Sequence, residues 1–294
     1  MAKILGIGTA TLDIINTVEY YPTEDEERRA LSQRRSVGGN CPNTLTVLQQ
    51  LGHKCAFAGI VADDPDGQFI AQQLKLEGIK VNNCRVAKGK TPTSYITLSR
   101  ATGTRTIVHY RTLPEFSFAD FAKIKLSAFD WLHFEGRNIT ETLRMLTFVR
   151  EKLPSLPWSV EIEKPRANIE NLFEGATILL FSRHYAAYHG YAEAQTFLQE
   201  LHSSLPHTEK VCAWGKEGAY ALGDGGEIKH APAFFPPQVV DTLGAGDTFN
   251  AGFLDARLRN HSLSESLALA CQLAGRKCGQ QGFKDLGNQQ QSIR

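Results

Sequence analysis

Short apolar runs recur along this chain, and stretches with helical spacing separate them. Lys3–Gly8 reads as a strand. Asn43–Leu51 reads as a helix closed by Gly52. Cys55–Val61 is one continuous apolar run, which predicts a buried strand. Asp66–Glu77 is helical, with Phe69, Ile70 and Leu74 on one face and Gly78 as its cap. Trp131–Phe134, Trp158–Ile162, Ile178–Phe181 and Val211–Trp214 are further short apolar runs, separated in part by helix-compatible Glu141–Lys152 and Ala192–Leu205. Runs too short for helices and apolar on both sides suit a sheet buried on both faces. That predicts an α/β fold with a mostly parallel central sheet between helices. At 294 residues the chain is near the limit of one hydrophobic core, so residues 1–294 are expected to form one domain.

Two segments break this rhythm. Tyr20–Val37 is polar and carries no helical stripe. Thr93–Tyr110 reads as two alternating strands around Ala101-Thr102-Gly103, a hairpin turn. Together, about 20–37 and 93–110, they predict a small β appendage. Lys284–Arg294 is polar and Gln-rich and is expected to fray.

Several function classes are disfavoured. Formal charge is +1, so neither nucleic acid nor an anionic membrane is an expected partner. No apolar run approaches the ~20 residues of a membrane helix, and Thr9, Thr11 and Asp13 interrupt the signal-like amino terminus. The six cysteines include no C-x-x-C pair and sit mostly among apolar residues, as reduced thiols of a cytoplasmic protein do. The histidines lack zinc spacing. Gly6-Ile7-Gly8 lacks the third glycine and the helix of a dinucleotide site.

The chemistry concentrates in Asp241-Thr242-Leu243-Gly244-Ala245-Gly246-Asp247-Thr248-Phe249, which opens the helix-compatible Phe249–Leu258. Small residues at Gly244, Ala245 and Gly246 let the backbone approach a ligand. Free N–H groups at a helix start favour an anion such as phosphate. A carboxylate in that turn would repel phosphate if anion binding were the only task. Asp247 makes sense as a general base that takes a proton from an attacking hydroxyl while the N–H groups steady a phosphoryl group. An aspartate capping an ordinary helix is the plainer alternative for a bare G-x-G-D.

The longer string resembles the second signature of the ribokinase-like, phosphofructokinase-B type, carbohydrate kinases. The match runs through Asp241, Gly244, Gly246, Asp247, Asn250, Ala251 and Gly252. The first signature is similar too, in Gly38-Gly39-Asn40 followed by Asn43, and Asp13 follows the first strand as it does in relatives. The resemblance implies a ribokinase-like three-layer sandwich with a small β-sheet lid, and an ATP-dependent sugar kinase using Mg²⁺. Asp247 is then the base, and Asp13, Gly39, Asn40 and Asn43 hold sugar hydroxyls. Phe134–Asn138, Val160–Arg166, Val211–Trp214, Tyr21-Pro22 with Glu24-Asp25, and Gln281–Phe283 resemble the ketohexokinase branch of the family. That branch implies a ketohexose such as fructose, phosphorylated at the 1-hydroxyl. It also implies a homodimer clasped through the lids, with Asp25 reaching the partner's sugar.

The resemblance extends to the nucleotide side. It implies Trp214, Gly215 and Gly218 beside ATP, Phe235 and Pro236 flanking adenine, Cys271 at its border, and Arg105 reaching from the hairpin to phosphate. It further implies K⁺ beside Asp241, aided by carbonyls between Cys278 and Gly282. Two features depart from the pattern. Where relatives carry N-x-x-E for Mg²⁺, this chain has Ser182-Arg183-His184-Tyr185, which leaves Glu161 or Glu163 with water to organise the metal. Gly59–Gly67 is closer to the general family than to the ketohexokinase branch. A 6-fructokinase, ribokinase or nucleoside kinase is the alternative within the class, and a non-catalytic sugar sensor the alternative outside it.

Overall fold

The computed structural model describes residues 1–287. In chain order its strands are β1 (Lys3–Ile7), β2 (Thr11–Val18), β3 (Ser32–Gly38), β4 (Lys54–Ala58), β5 (Ile60–Ala62), β6 (Arg85–Ala87), β7 (Thr93–Ser99), β8 (Arg105–Tyr110), β9 (Trp131–Glu135), β10 (Trp158–Ile162), β11 (Ile178–Ser182), β12 (Glu209–Ala213), β13 (Ala219–Leu222) and β14 (Ile228–Ala231). Its α-helices are α1 (Asn40–Gln50), α2 (Pro65–Leu76), α3 (Phe118–Phe121), α4 (Ile139–Lys152), α5 (Arg183–Tyr188), α6 (Ala194–Ser204), α7 (Ala245–Leu258) and α8 (Leu263–Cys278).

Eight strands form the central sheet in the order β14-β13-β12-β11-β10-β9-β1-β4. From β4 to β12 every pairing is parallel, and only β13 and β14 run antiparallel at one edge. Strand side chains alternate between two cores. Leu179 and Phe181 of β11 join α3–α6 on one face, whereas Ile178 and Leu180 join α1, α2, α7 and α8 on the other. Burial on both faces explains why these strands read as mostly apolar runs rather than as alternating ones.

The run Cys55–Val61 is two strands rather than one. β4 stays in the central sheet, while β5 leaves it after Gly59 to pair with β6. The first helix begins at Asn40, earlier than Asn43, because Pro42 sits in its first turn, where a missing N–H costs nothing.

The smaller sheet has the order β3-β2-β7-β8. It draws on 32–38 and 93–110, and it also takes β2, a segment read from the sequence only as the stretch carrying Asp13. In the interval 20–37, only the part from Ser32 is strand. The tail differs from expectation as well. Leu286 is fully buried, and its N–H donates to Gln50 Oε1 at 3.1 Å. The remainder of the stretch expected to fray, 288–294, lies outside the described residues. Among the described residues no helix is long and apolar enough to cross a membrane.

Candidate active site

Two helix starts meet at the carboxyl ends of the parallel strands, where open α/β sheets place ligands. α1 begins behind Gly39, whose φ is 101° and whose hypothetical Cβ would lie 2.1 Å from the Thr9 carbonyl oxygen. α7 begins behind Gly244, with φ 79° and a hypothetical Cβ 2.3 Å from the Phe283 ring. Both positions exclude a side chain, so both signatures need glycine there. The helices pack together, and Asn43 Nδ2 donates to Asp247 Oδ2 at 2.7 Å. Helix geometry leaves the amides of Gly246 and Asp247 without intrahelical acceptors, beside the carboxylate.

The cleft above them holds about 340 Å³. Asp13, Gly39, Asn40, Asn43, Arg105, Gly244, Ala245, Gly246 and Asp247 all line it. Arg105 Nη1 donates to Thr242 Oγ1 at 3.3 Å, so the hairpin reaches the turn that precedes α7. Asp25 does not line its own chain's cleft; it sits in the loop before β3 with φ 64°. A larger cavity of about 580 Å³ lies behind β3 and lacks Asp247.

Carboxylates dominate the electrostatics. Burial pushes the Asp247 carboxyl up to about 8; the Asn43 amide opposes this, and the charges of Glu163, Glu135 and Asp13 add to it. Burial also drives Glu161 far upward, helped by Asp247, Glu163 and Glu135. Glu161 Oε1 accepts from Asn40 Nδ2 at 3.2 Å and from Asn250 Nδ2 at 3.0 Å, so it ties the two signatures together. Its Oε2 is buried and unpartnered among the described residues. Glu135 accepts from the Thr9 N–H at 2.9 Å and from Arg137 Nη1 at 3.2 Å. The sequence signal for Glu135 and Glu161 was a carboxylate near the end of an otherwise apolar strand, a place that core packing alone does not favour.

These residues fit a magnesium ion held chiefly by phosphate oxygens and water. Mg²⁺ commonly uses one or two carboxylates beside substrate phosphates. Glu161 offers its free Oε2, and Glu163 shares the Asn40 amide with it, at 3.1 Å. Among the described residues no group of three or more His, Cys, Asp or Glu is arranged to hold a metal unaided. Ser182, where relatives have N-x-x-E, instead caps α5 and donates to the Glu163 carbonyl at 2.5 Å.

Asp241, the residue expected beside K⁺, is already paired with two cationic side chains. Arg34 Nη2 donates to its Oδ2 at 2.9 Å. Lys277 Nζ donates to its main-chain carbonyl at 2.8 Å and lies 3.3 Å from Oδ2. Burial alone would raise this carboxyl, but Lys277 first, then the Leu243 amide and Arg34, hold it below the usual range. Lys277 and Arg34 thus already supply positive charge to Asp241.

The nucleotide-side residues lie outside the cleft lining. The Trp214 N–H donates to the Gly218 carbonyl at 2.7 Å, and Gly215 forms the turn between them. Trp214 is buried, with the Arg183 guanidinium 5.4 Å from its ring centre. Cys271 Sγ faces the Ala231 carbonyl at 3.7 Å. Phe235 is exposed, and Pro236 follows it on the loop toward the catalytic turn.

Comparison with known proteins agrees with this geometry. The model of the pfkB family carbohydrate kinases matches residues 1–289. Mouse ketohexokinase is 43% identical over 290 residues, 96% of this chain and 97% of that protein. A fructosamine kinase of Bacillus subtilis is 26% identical over 95% of this chain and 92% of its own length. Among solved structures, Giardia lamblia ribokinase shares the fold at a TM-score of 0.83 and 18% identity over the whole of both chains. Cryptococcus neoformans ribokinase with ADP does so at 0.78 and 18%, again over both chains. The chain therefore belongs to the pfkB family of carbohydrate kinases.

Proposed function

We propose that this kinase uses ATP to phosphorylate a ketohexose such as fructose at the 1-hydroxyl. The observation that carries the reading is the Asn43–Asp247 contact at the start of α7, inside a cleft lined by both signatures. Likeness to mouse ketohexokinase along the full length supports the choice of sugar. Asp13, Asn40 and Asn43 hold the ring by its hydroxyls, and the primary hydroxyl at C1 points at Asp247. Asp247 takes the hydroxyl proton as the oxygen bonds to the γ-phosphorus. The bond from that phosphorus to the bridging oxygen breaks, and ADP leaves. Charge on the equatorial oxygens meets the Gly246 and Asp247 amides and Arg105. Magnesium would neutralise triphosphate charge, with Glu161 and Glu163 as its protein-side anchors. ATP lies along Trp214–Gly218, with adenine by Phe235, Pro236 and Cys271.

Coupled ADP release with fructose, ribose, glucose and adenosine side by side tests the substrate. Fructose is expected to exceed ribose and adenosine in kcat/KM by at least about tenfold, since unpaired buried polar groups penalise an analogue lacking a hydroxyl. A chelator is expected to abolish turnover. A clear preference for ribose or a nucleoside would overturn the ketose assignment.

The smaller sheet acts as a lid and as a dimer interface in this reading. Its outer face exposes Tyr95, Val108 and Tyr110, and its edges are open. Two lids clasp, and Asp25 of each enters the other's cleft. Sedimentation is expected to give a dimer at micromolar concentration. Mixing inactive Asp25→Ala with inactive Asp247→Asn chains should restore activity in mixed dimers, and no recovery despite proven subunit exchange would remove the contact in trans.

A further inference from the structure

Three strands of the smaller sheet place Asp13, Ser94 and His109 in one row. Asp13 stands opposite Ser94 across β2 and β7, and Ser94 stands opposite His109 across β7 and β8. All three line the cleft. Tyr95, Val108 and Tyr110, their neighbours along the strands, are turned outward and exposed, as the two-residue period of a strand requires. Asp13 is buried, and both the Thr11 and Ser94 hydroxyls bond to its carboxylate. Ser94 Oγ lies 3.2 Å from His109 Nδ1.

Burial raises the Asp13 carboxyl, but the Thr11 and Ser94 hydroxyls and Arg34 favour its ionised form, and with Asp13 ionised a count of donors sets the direction of this chain of bonds. A serine hydroxyl has one proton and an ionised carboxylate has none. The Ser94 proton therefore goes to Asp13, and the bond to His109 requires Nδ1 to donate. In the neutral ring, Nε2 is then an acceptor. No described residue bonds to Nε2. The charged groups that share the cleft with the ring are Asp13 on β2, Arg105 on its own strand, Glu135 on β9, Glu161 on β10, Asp247 on α7, and Arg137, Glu163, Lys164 and Arg166 beyond those strands, with Arg111 also close. Burial first, then the charges of Arg137, Arg111 and Lys164, hold the imidazole below its usual pKa. The ring is accordingly neutral at physiological pH. The charges that act on the ring, Arg137, Arg111 and Lys164, are all donors, while Glu135 and Glu161 line the same cleft from β9 and β10, so Nε2 is left as an acceptor without a described partner in a cleft-lining residue.

We propose that His109 is a specificity-determining residue of the substrate site: its Nε2 accepts a hydrogen bond from a sugar hydroxyl other than the one that reacts, and Ser94, anchored on Asp13, fixes the tautomer that makes this so. The proposal rests on the reading that the cleft takes a sugar. It goes beyond that reading by assigning to the lid's β8 a direct part in sugar selection.

The test uses the full-length enzyme and the sugar that the wild type phosphorylates fastest, whichever that is. Failure of the fructose assignment therefore leaves the test intact. His109→Phe keeps a flat ring and removes the acceptor. Its KM for the sugar is expected to rise about tenfold, the upper end for one hydrogen bond, with kcat changed less than about threefold. His109→Gln puts a carbonyl oxygen near the Nε2 position and is expected to restore most of the affinity. In the wild type, KM should rise as pH falls through the depressed pKa of His109, because protonation turns Nε2 into a donor; His109→Gln should lack that rise. If His109→Phe folds poorly, Ser94→Ala serves instead, with a smaller rise in KM and an altered pH midpoint. An unchanged KM in His109→Phe, a failure of His109→Gln to recover it, or a loss confined to kcat would overturn the proposal.

Discussion

Asp247→Asn is expected to lower kcat by about 10²–10⁴-fold, the usual contribution of general base catalysis, with little change in nucleotide affinity. The substitution preserves size, and the new amide oxygen can still accept from Asn43, which now bonds Asp247 Oδ2 at 2.7 Å. What is lost is only the capacity to take a proton. The wild-type pH profile carries the same information. Burial pushes the Asp247 carboxyl up to about 8, so the base is increasingly protonated below that value. The rate kcat/KM should therefore climb through neutral pH and level off above about 8, and the Asn variant should lack that limb. Glu161 is a near neighbour that also titrates high, so the limb reports the pair as a unit. A variant with near-native kcat would remove Asp247 from the role of base.

Lys277→Met is expected to cost about 3–5 kcal/mol of unfolding free energy, as breaking one partner of a buried ion pair does. Lys277 is fully buried in α8, and its ammonium serves both the carbonyl and the carboxylate of Asp241. Burial lowers its pKa, while Asp241 opposes that shift. Methionine fills similar volume but strips a proton donor from a buried carbonyl and leaves Asp241 with Arg34 as its cationic partner among the described residues. Typical domains are stable by only about 5–15 kcal/mol, so the loss would be a large fraction of the whole. Urea denaturation at equilibrium measures it. Because Asp241 starts the catalytic turn, turnover should fall as well. A change below about 1 kcal/mol would mean that Arg34 and the Leu243 and Gly282 amides hold the turn without Lys277, against the usual cost of an unpaired buried charge.

The catalytic turn was legible because its physics is local. A glycine at positive φ, a helix start and a carboxylate are contiguous in Gly244–Asp247, and the first signature likewise sits in Gly39–Asn43. The central strands were legible because burial on both faces makes them mostly apolar, with His133, Ser159 and Glu161 as buried exceptions. β2 was not. Its sequence, Thr11–Val18, mixes buried Leu12 and Ile15 with Thr11 and Asp13, which are buried only because the sheet turns them into the cleft. A strand whose inward face is polar does not announce itself by alternation. The long-range bonds of Glu161, which the sequence offered only as a metal candidate, and of Lys277 were hidden for another reason. Each is a charged residue within an element whose pattern is otherwise ordinary, and its partners, Asn40 with Asn250 and Asp241, lie far away in sequence. Nothing near Asp241 in sequence signals the ammonium that reaches it from α8.

The most direct measurement is to identify the product made from fructose and ATP by ³¹P–¹H correlation NMR. Coupling of the new phosphorus to the C1 methylene protons is the predicted result, because the hydroxyl held at Asp247 is the primary one beside the anomeric carbon. Coupling to the C6 protons, or no phosphoryl transfer to fructose by an enzyme that phosphorylates ribose, would contradict it.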